Sequence, residues 1–198
     1  FEYEAEDNNS VSETIDVSLP PVPDLVVDAI VIPAEVWSGQ LLEVQWTVSN
    51  EGGATAVSEQ GFWFDSIYLS RDWFLDREKD VKLGNMKYAG ELSGTARQGG
   101  SYTQTLEARL PETISGDYHV FVATDSTDKV FERDGESNNV RMSDTANAPM
   151  KVKLTPPADL IVFSINPPVS GIYGETVDWE YTVSNRGTLP ARGAWVDS

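Results

Sequence analysis

The sequence predicts an all-β protein that folds as an antiparallel Greek-key sandwich. Apolar and polar side chains alternate along several segments, which is the period of a half-buried strand. Clusters of Gly, Pro, Asn, Asp and Ser separate these segments at 49–53, 94–100, 111–117 and 133–139, and such clusters form turns. No stretch combines the 3.6-residue apolar period of a helix with capping residues.

The first strands show the alternation most clearly. Segment 41–50 is LLEVQWTVSN, and alternation turns four of its side chains towards one face: Leu42, Val44, Trp46 and Val48. Segment 62–69 is FWFDSIYL. Its continuous apolar and aromatic content predicts a strand that is buried on both faces.

Two later segments complete the predicted core. Segment 101–110 turns Tyr102, Leu106, Ala108 and Leu110 inward, and segment 117–124 does the same with Tyr118, Val120 and Val122. About seven short strands joined by polar turns are typical of an immunoglobulin- or fibronectin-III-like sandwich.

An internal repeat defines the domain organisation. DLVV at 24–27 recurs as DLIV 135 residues later, and WTVSNEG at 46–52 recurs as YTVSNRG at the same offset. WFDS at 63–66 recurs as WVDS at 195–198, and FEYEAEDNN at 1–9 resembles FERDGESNN at 131–139. We therefore predict a complete module over 21–155, the last strand and linker of a preceding module over 1–20, and the first strands of a following, truncated module over 156–198. Such long repeats form beads on a string rather than a solenoid.

The joints between these modules are rich in proline. They are VSLPPVPDL and VKLTPPADL, and proline fixes φ and favours extended, semi-rigid connectors. Serial modules with stiff joints form a stalk, so the neighbouring modules of the same chain are the first expected partners.

Composition excludes several classes of partner and site. The 198 residues include 32 acidic and 14 basic side chains, a net charge of -18. This charge repels nucleic acid and anionic lipid heads, and no apolar run reaches the roughly 20 residues of a membrane helix. The start of the chain is no signal peptide, so we expect a larger parent protein. Cysteine is absent, which excludes disulfides and thiol chemistry and favours a prokaryotic surface protein.

The ordered set of segments resembles a known family. PDLVV, WTVSNEG, FWFDSIYLSRDWFLDREKDVKLG, SYTQTLEARLP, SGDYHVFVATD and VFERDGESNNV follow one another along the chain. In this order they are similar to CARDB, the cell-adhesion-related domain found in bacteria, over all of 22–155. The resemblance implies an immunoglobulin-like sandwich, a surface location and a role in adhesion or spacing. It identifies no ligand.

A turn at 70–84, SRDWFLDREKDVKLG, concentrates acidic residues. Calcium takes six to eight oxygen ligands, so four carboxylates here are candidate calcium ligands: Asp72, Asp76, Glu78 and Asp80. The spacing is not that of an EF-hand loop, since Arg77 stands where glycine is required. Four cations are interleaved with these acids, so solvated ion pairs explain the loop equally well.

A second acidic cluster follows the predicted penultimate strand. Its members are Glu132, Asp134, Glu136, Asn138 and Asn139. Asn and Asp side chains imitate backbone turns, so we interpret this segment as a turn first and as a metal site second.

Trp73 and Phe74 lie in the turn at 70–84 rather than in a strand. They are a candidate platform for a sugar ring or a protein partner. The alternative, which the usual burial of large aromatics favours, is that both rings cap one end of the core. Trp63 and Trp195 lie in strand segments and are expected in the core.

Nothing in the sequence predicts catalysis. His119 is the only histidine, and no nucleophile elbow, P-loop or dinucleotide fingerprint is present. We expect a non-catalytic adhesion or spacer module of a large secreted or surface-anchored prokaryotic protein, with no cofactor other than calcium. The alternative is a carbohydrate- or protein-binding accessory module of an extracellular enzyme, stabilised by calcium and contacting cell-surface glycans or proteins.

Overall fold

The protein is all-β, as the sequence predicts. The computed structural model describes residues 10–95, 100–143, 149–193 and 196. Two of the sequence predictions concern residues outside these ranges, namely segment 1–9 and Trp195. The described strands are β1 (Leu25–Val31), β2 (Glu35–Trp37), β3 (Leu41–Asn50), β4 (Phe62–Ser70), β5 (Val81–Ala89), β6 (Ser101–Arg109), β7 (Gly116–Ala123), β8 (Val140–Met142), β9 (Met150–Lys153), β10 (Leu160–Asn166) and β11 (Glu180–Asn185).

Strands β1 to β9 form two sheets. The smaller has the order β1-β3-β6, and the larger has the order β2-β9-β7-β4-β5, with β8 also paired to β7. All pairs are antiparallel except β2 with β9. Because β1 belongs to the smaller sheet and β2 to the larger one, the chain crosses between the two layers directly after β1.

The core lies between the sheets and confirms the predicted inward faces. Leu42, Val44, Trp46 and Val48 of β3 are fully buried, and so are Tyr118, Val120 and Val122 of β7. Where β5 meets β6, the Tyr88 and Tyr102 rings stack with centroids 3.9 Å apart. Trp63 packs against Tyr88 at 4.6 Å, so aromatic rings close this side of the sandwich.

Strands β4 and β7 are buried on both faces. In β4 every residue from Asp65 to Ser70 is buried, as the aromatic sequence predicts. In β7 the side chains opposite the core are also covered, including His119 and Phe121. These two strands are central in the larger sheet, so both edges of each strand are paired with neighbouring strands.

The strand pair of the second sequence copy has the same register as the corresponding pair of the first. β10 pairs with β11 antiparallel, and the register is interrupted between Val162 and Ser164. β1 pairs with β3 with the same interruption, between Val27 and Ala29. Residues 10–24 form no strand. None of the described residues belongs to a helix that is long and apolar enough to span a membrane.

Candidate functional site

The turn after β4 has a backbone fixed by its own side chains. Ser70, the buried last residue of β4, accepts a hydrogen bond from the backbone N–H of Asp72 (3.3 Å) and donates to the carbonyl of Phe74 (3.4 Å). The Asp72 carboxylate accepts from the N–H of Phe74 (2.9 Å). Asp and Ser side chains stabilise turns in this way, so the position of residues 71–74 is set before any ligand arrives.

The side chains of this turn lie against β7. The Trp73 ring packs on His119, with centroids 4.4 Å apart, which explains why the only histidine is buried. The Arg71 guanidinium lies 4.8 Å from the centre of the Tyr118 ring and donates to the carbonyl of Ser115 (3.3 Å). The turn is thus anchored to a central strand of the larger sheet.

Both aromatic side chains of the turn face solvent. Trp73 is 58% exposed and Phe74 is 79% exposed. The expectation that the two rings cap the core is therefore wrong. Trp73 instead packs on His119, whose side chain lies on the face of β7 opposite the core. An exposed aromatic pair on a fixed backbone is the feature of the described surface that most resembles a ligand platform.

Three of the four predicted calcium ligands, Asp72, Asp76 and Asp80, accept hydrogen bonds within the loop. Asp76 accepts from the N–H groups of Glu78 and Lys79 and forms an ion pair with the Lys79 ammonium at 2.7 Å, and these contacts lower its pKa, the Lys79 bond most of all. Asp80 accepts from the N–H of Asp76 (2.8 Å). Across the described residues, no group of three or more His, Asp or Glu is arranged to hold a metal ion. Calcium binding by Asp72, Asp76, Glu78 and Asp80 stays a prediction, for which a calcium-dependent melting temperature in wild type and Asp76→Ala is the test.

The second acidic cluster contains a buried acid. Residues Gly135–Ser137 form one turn of 3-10 helix between Asp134 and Asn138, in agreement with the turn interpretation. Glu132, however, is only 1% exposed. Its carboxylate accepts from the backbone N–H of Leu25 (2.8 Å), 107 residues away in sequence, and so fixes the start of β1.

Burial raises the pKa values of two acids in this region, Glu132 and Asp125. Burial, with the nearby charges of Glu136, Asp125 and Asp24, raises the pKa of Glu132 to about 7 against the hydrogen bond from Leu25. Burial likewise raises the pKa of Asp125 to about 6. One Asp125 oxygen accepts from the N–H groups of Lys129 and Val130, while the other is buried without a partner.

Asp65 is the polar centre of the core. Its carboxylate accepts hydrogen bonds from the indole of Trp46 (2.7 Å), the hydroxyl of Thr124 (2.9 Å) and the hydroxyl of Tyr102 (2.9 Å). Burial raises the pKa of Asp65 although these bonds oppose the shift. Burial and the Asp65 charge raise the pKa of the Tyr102 hydroxyl. This network joins both sheets, since Trp46 and Tyr102 belong to the smaller and Asp65 to the larger.

The sequence analysis did not assign a role to Asp65 and interpreted the segment that contains Glu132 as a turn. The repeat contained a signal for both. Asp65 recurs as Asp197 within WVDS, and Glu132 matches Glu2. Recurrence of an acid beside aromatic residues favours a structural role, but the burial of Asp65 and Glu132 depends on residues far away in sequence.

Comparison with known proteins relates the chain to one family. The CARDB family model matches residues 22–143, more than half of the chain. The chain is similar to the CARDB domain of a Pyrococcus furiosus protein in a crystal structure in complex with di-metal ions. That match has 21% identity, covers 66% of this chain and 94% of that chain, and has a TM-score of 0.46. The solution NMR structure of the CARDB domain from Pyrococcus furiosus matches with 22% identity, 67% and 97% coverage, and a TM-score of 0.45.

Part of a larger enzyme is also similar. A β-glucosidase from Listeria innocua, in a crystal structure in complex with isofagomine, matches with 19% identity and a TM-score of 0.39. The match covers 66% of this chain but only 16% of that chain. Likenesses at this level carry no inference about ligands or activity. A search of curated proteins found no match.

Proposed function

The chain belongs to the CARDB family, a non-catalytic, adhesion-related group of domains, and on that premise we propose that its module is a stiff spacer in a tandem array. The parent would be a secreted or surface-anchored prokaryotic protein, with neighbouring modules of the same chain as partners. The net charge of -18 supports this setting because it keeps closely spaced modules from associating. The main support is the hydrogen bonding at the joint between the two copies.

The complete module holds the chain at the point where it leaves β9. The backbone N–H of Ser38 donates to the carbonyl of Lys153 (2.8 Å). Thr155 then donates twice to Ser38, from its N–H to the hydroxyl (2.9 Å) and from its hydroxyl to the carbonyl (2.6 Å). Ser38 and Thr155 are both buried. The chain is therefore fixed to the end of the sandwich as far as Thr155.

The second copy holds the chain where it enters β10. The Asn185 side chain accepts from the N–H of Asp159 (3.0 Å), and the Thr188 hydroxyl donates to the carbonyl of Pro156 (2.9 Å). Gly187 lies so close to the chain that a Cβ there would overlap the carbonyl oxygen of Pro157. Residues 156–159 are therefore held by contacts with residues 185–188 of the second copy.

Only Pro156, Pro157 and Ala158 lie between Thr155, which the complete module holds, and Asp159, whose N–H is held by the second copy. Two of these residues have φ fixed by the pyrrolidine ring, and the Pro156 carbonyl is itself hydrogen-bonded. So short a connector leaves few torsions about which adjacent modules can bend. This is the observation that carries the spacer proposal.

The distance distribution between spin labels on either side of the joint tests it. Because the chain has no cysteine, Glu107→Cys in β6 and Ser164→Cys in β10 give two unique labelling positions, both exposed. We expect pulsed electron paramagnetic resonance to give one narrow distribution of distances between the two labels. Replacing Pro156 and Pro157 by glycine is expected to broaden it at least twofold.

A proline outside the joint provides the control. Pro33 lies in the connection between β1 and β2, and Pro33→Gly should leave the distribution unchanged. A wild-type distribution as broad as that of the double glycine variant, or a mobile line shape for a label on Ser164 alone, would contradict the spacer proposal.

A further inference from the structure

The turn at 71–74 shows two aromatic faces to solvent on a backbone that is already fixed. Trp73 rests on His119 with one side of its ring, and more than half of its surface is exposed. Phe74 is exposed further still, while its N–H and carbonyl are held by Asp72 and Ser70. A ligand stacking on these rings would not have to order the loop, which lowers the entropic cost of binding.

The size of this apolar patch restricts its partner. In the loop between β4 and β5, Trp73 and Phe74 are the only large apolar side chains that are exposed, and all residues of this loop are described. Each aromatic side chain has roughly 150–250 Å² of surface, so the patch offers about 300 Å². A stable protein interface needs about 800 Å² from each partner. A pyranose ring, in contrast, covers one aromatic face.

The charges of the loop restrict the partner further. Residues 71–82 contain four cations, Arg71, Arg77, Lys79 and Lys82, and four anions, Asp72, Asp76, Glu78 and Asp80. The loop is therefore neutral overall, and the net charge of the chain repels polyanions. Hydrogen-bonding groups remain beside the rings, because the exposed Arg71 guanidinium has five N–H donors and Asp72 has a second carboxylate oxygen.

From this combination we propose that Trp73 and Phe74 form a binding surface for a neutral polysaccharide. Pyranose rings stack on the two exposed aromatic faces, and Arg71 and Asp72 exchange hydrogen bonds with the sugar hydroxyls. This inference adds a ligand to the spacer proposed above and does not depend on it, since glycan binding and joint rigidity are measured separately.

Affinity electrophoresis of the full chain tests the proposal. The gels contain one neutral polymer each: laminarin, hydroxyethyl cellulose, xyloglucan, galactomannan or arabinoxylan. We expect at least one polymer to retard the wild type, with Trp73→Ala and Phe74→Ala each weakening the binding constant at least tenfold. Trp73→Phe, which keeps an aromatic face, should remain within about threefold of the wild type.

Trp37 supplies a matched control. It is 40% exposed and lies on β2, at the opposite edge of the larger sheet from β5, so Trp37→Ala should change the binding constant by less than twofold. Melting curves of all variants show whether any loss comes from unfolding. If Trp73→Ala is unfolded, the binding constants of Phe74→Ala and Trp73→Phe test the proposal in its place.

Three outcomes would overturn the proposal. The first is the absence of retardation by all five polymers. The second is equal loss of binding in Trp37→Ala and in Trp73→Ala. The third is concentration-dependent self-association of the chain that Trp73→Ala abolishes, which would assign the patch to a protein interface. None of these outcomes affects the label distances across the joint, so failure here leaves the spacer proposal standing.

Discussion

At the scale of single residues, the Asp65 carboxylate holds the two sheets together from inside the core. Its indole and hydroxyl donors lie on β3, on β6 and directly after β7. Removing a buried acceptor leaves these donors without partners, and this costs more than the net value of the bonds. We expect Asp65→Asn, which puts an N–H₂ group among donors, to lower the free energy of unfolding by about 3 kcal/mol. The midpoint and slope of urea unfolding measure this change.

Asp117 provides the comparison for this substitution. It lies on β7 and is exposed, so Asp117→Asn should change the free energy of unfolding by less than about 0.5 kcal/mol. Equal effects at the two positions would show that the hydrogen-bond network around Asp65 contributes nothing specific.

Glu132 and Asp125 make stability depend on pH. Their pKa values in the folded protein, about 7 and about 6, lie above the ordinary values of 4.5 and 3.8. The folded state therefore binds protons more tightly than the unfolded chain. The resulting stabilisation is complete below about pH 4 and is lost as pH rises through 6 and 7. We expect the free energy of unfolding to fall between pH 5.5 and 8, by on the order of 2 kcal/mol after solvent screening.

The variant Glu132→Gln isolates one of these groups. It keeps an acceptor for the Leu25 N–H and removes the titration, so its urea midpoint should vary less between pH 5.5 and 8 than that of the wild type. Glu43→Gln, on the exposed face of β3, should keep the wild-type pH dependence. A wild-type midpoint that rises with pH over this range would refute the assignment.

At the scale of elements, the chain contains one structural motif in two environments. Asn50, at the end of β3, accepts from the N–H groups of Asp24 and Gly52 and donates to the carbonyls of Ala54 and Leu92. Asn185, at the end of β11, accepts from Asp159 and Gly187 and donates to Leu189. The bonds within the turn correspond, but Asn50 also donates to Leu92, and Asn50 is buried whereas Asn185 is exposed.

This pair separates the effect of burial from that of the motif. Asn50→Asp would place a carboxylate against two carbonyl oxygens away from water, and we expect it to cost about 3 kcal/mol of unfolding free energy. Asn185→Asp should leave the main unfolding transition unchanged, because water can solvate its carboxylate. Chemical denaturation followed by tryptophan fluorescence compares the two variants. Similar losses in both would mean that the turn, and not the buried environment, sets the cost.

At the scale of the whole molecule, the two copies differ in how much apolar surface they bury. Val162, Ile165 and Trp179 are 55–64% exposed, whereas Val27, Ile30 and Val44, which match them in sequence, are buried in the complete module. A chain ending at Thr155 should keep the urea midpoint of the full chain and should bind severalfold less of a hydrophobic fluorescent dye. As a control, Ile165→Ser with Trp179→Ser in the full chain should lower dye binding without moving the midpoint.

Most of the fold was predictable because its determinants are local. Alternation identified the inward side chains of β3 and β7, and the repeat located β10 and β11 with the register that β1 and β3 share. Sequence could not give the partner of each strand. The parallel pairing of β2 with β9 joins segments more than 100 residues apart, and nothing in the short segment EVW indicates this.

The sequence by itself determined the all-β class and the family, since these follow from residue order and a period of two. Only the tertiary structure decided which polar side chains are buried and which aromatic ones are exposed. Glu132 in a polar turn is buried where the start of β1 donates a hydrogen bond to it, while Trp73 packs on the outer side of β7 rather than in the core, and both Trp73 and Phe74 face solvent. Burial depends on what distant segments bring to a position, and the residue itself contains no information about that.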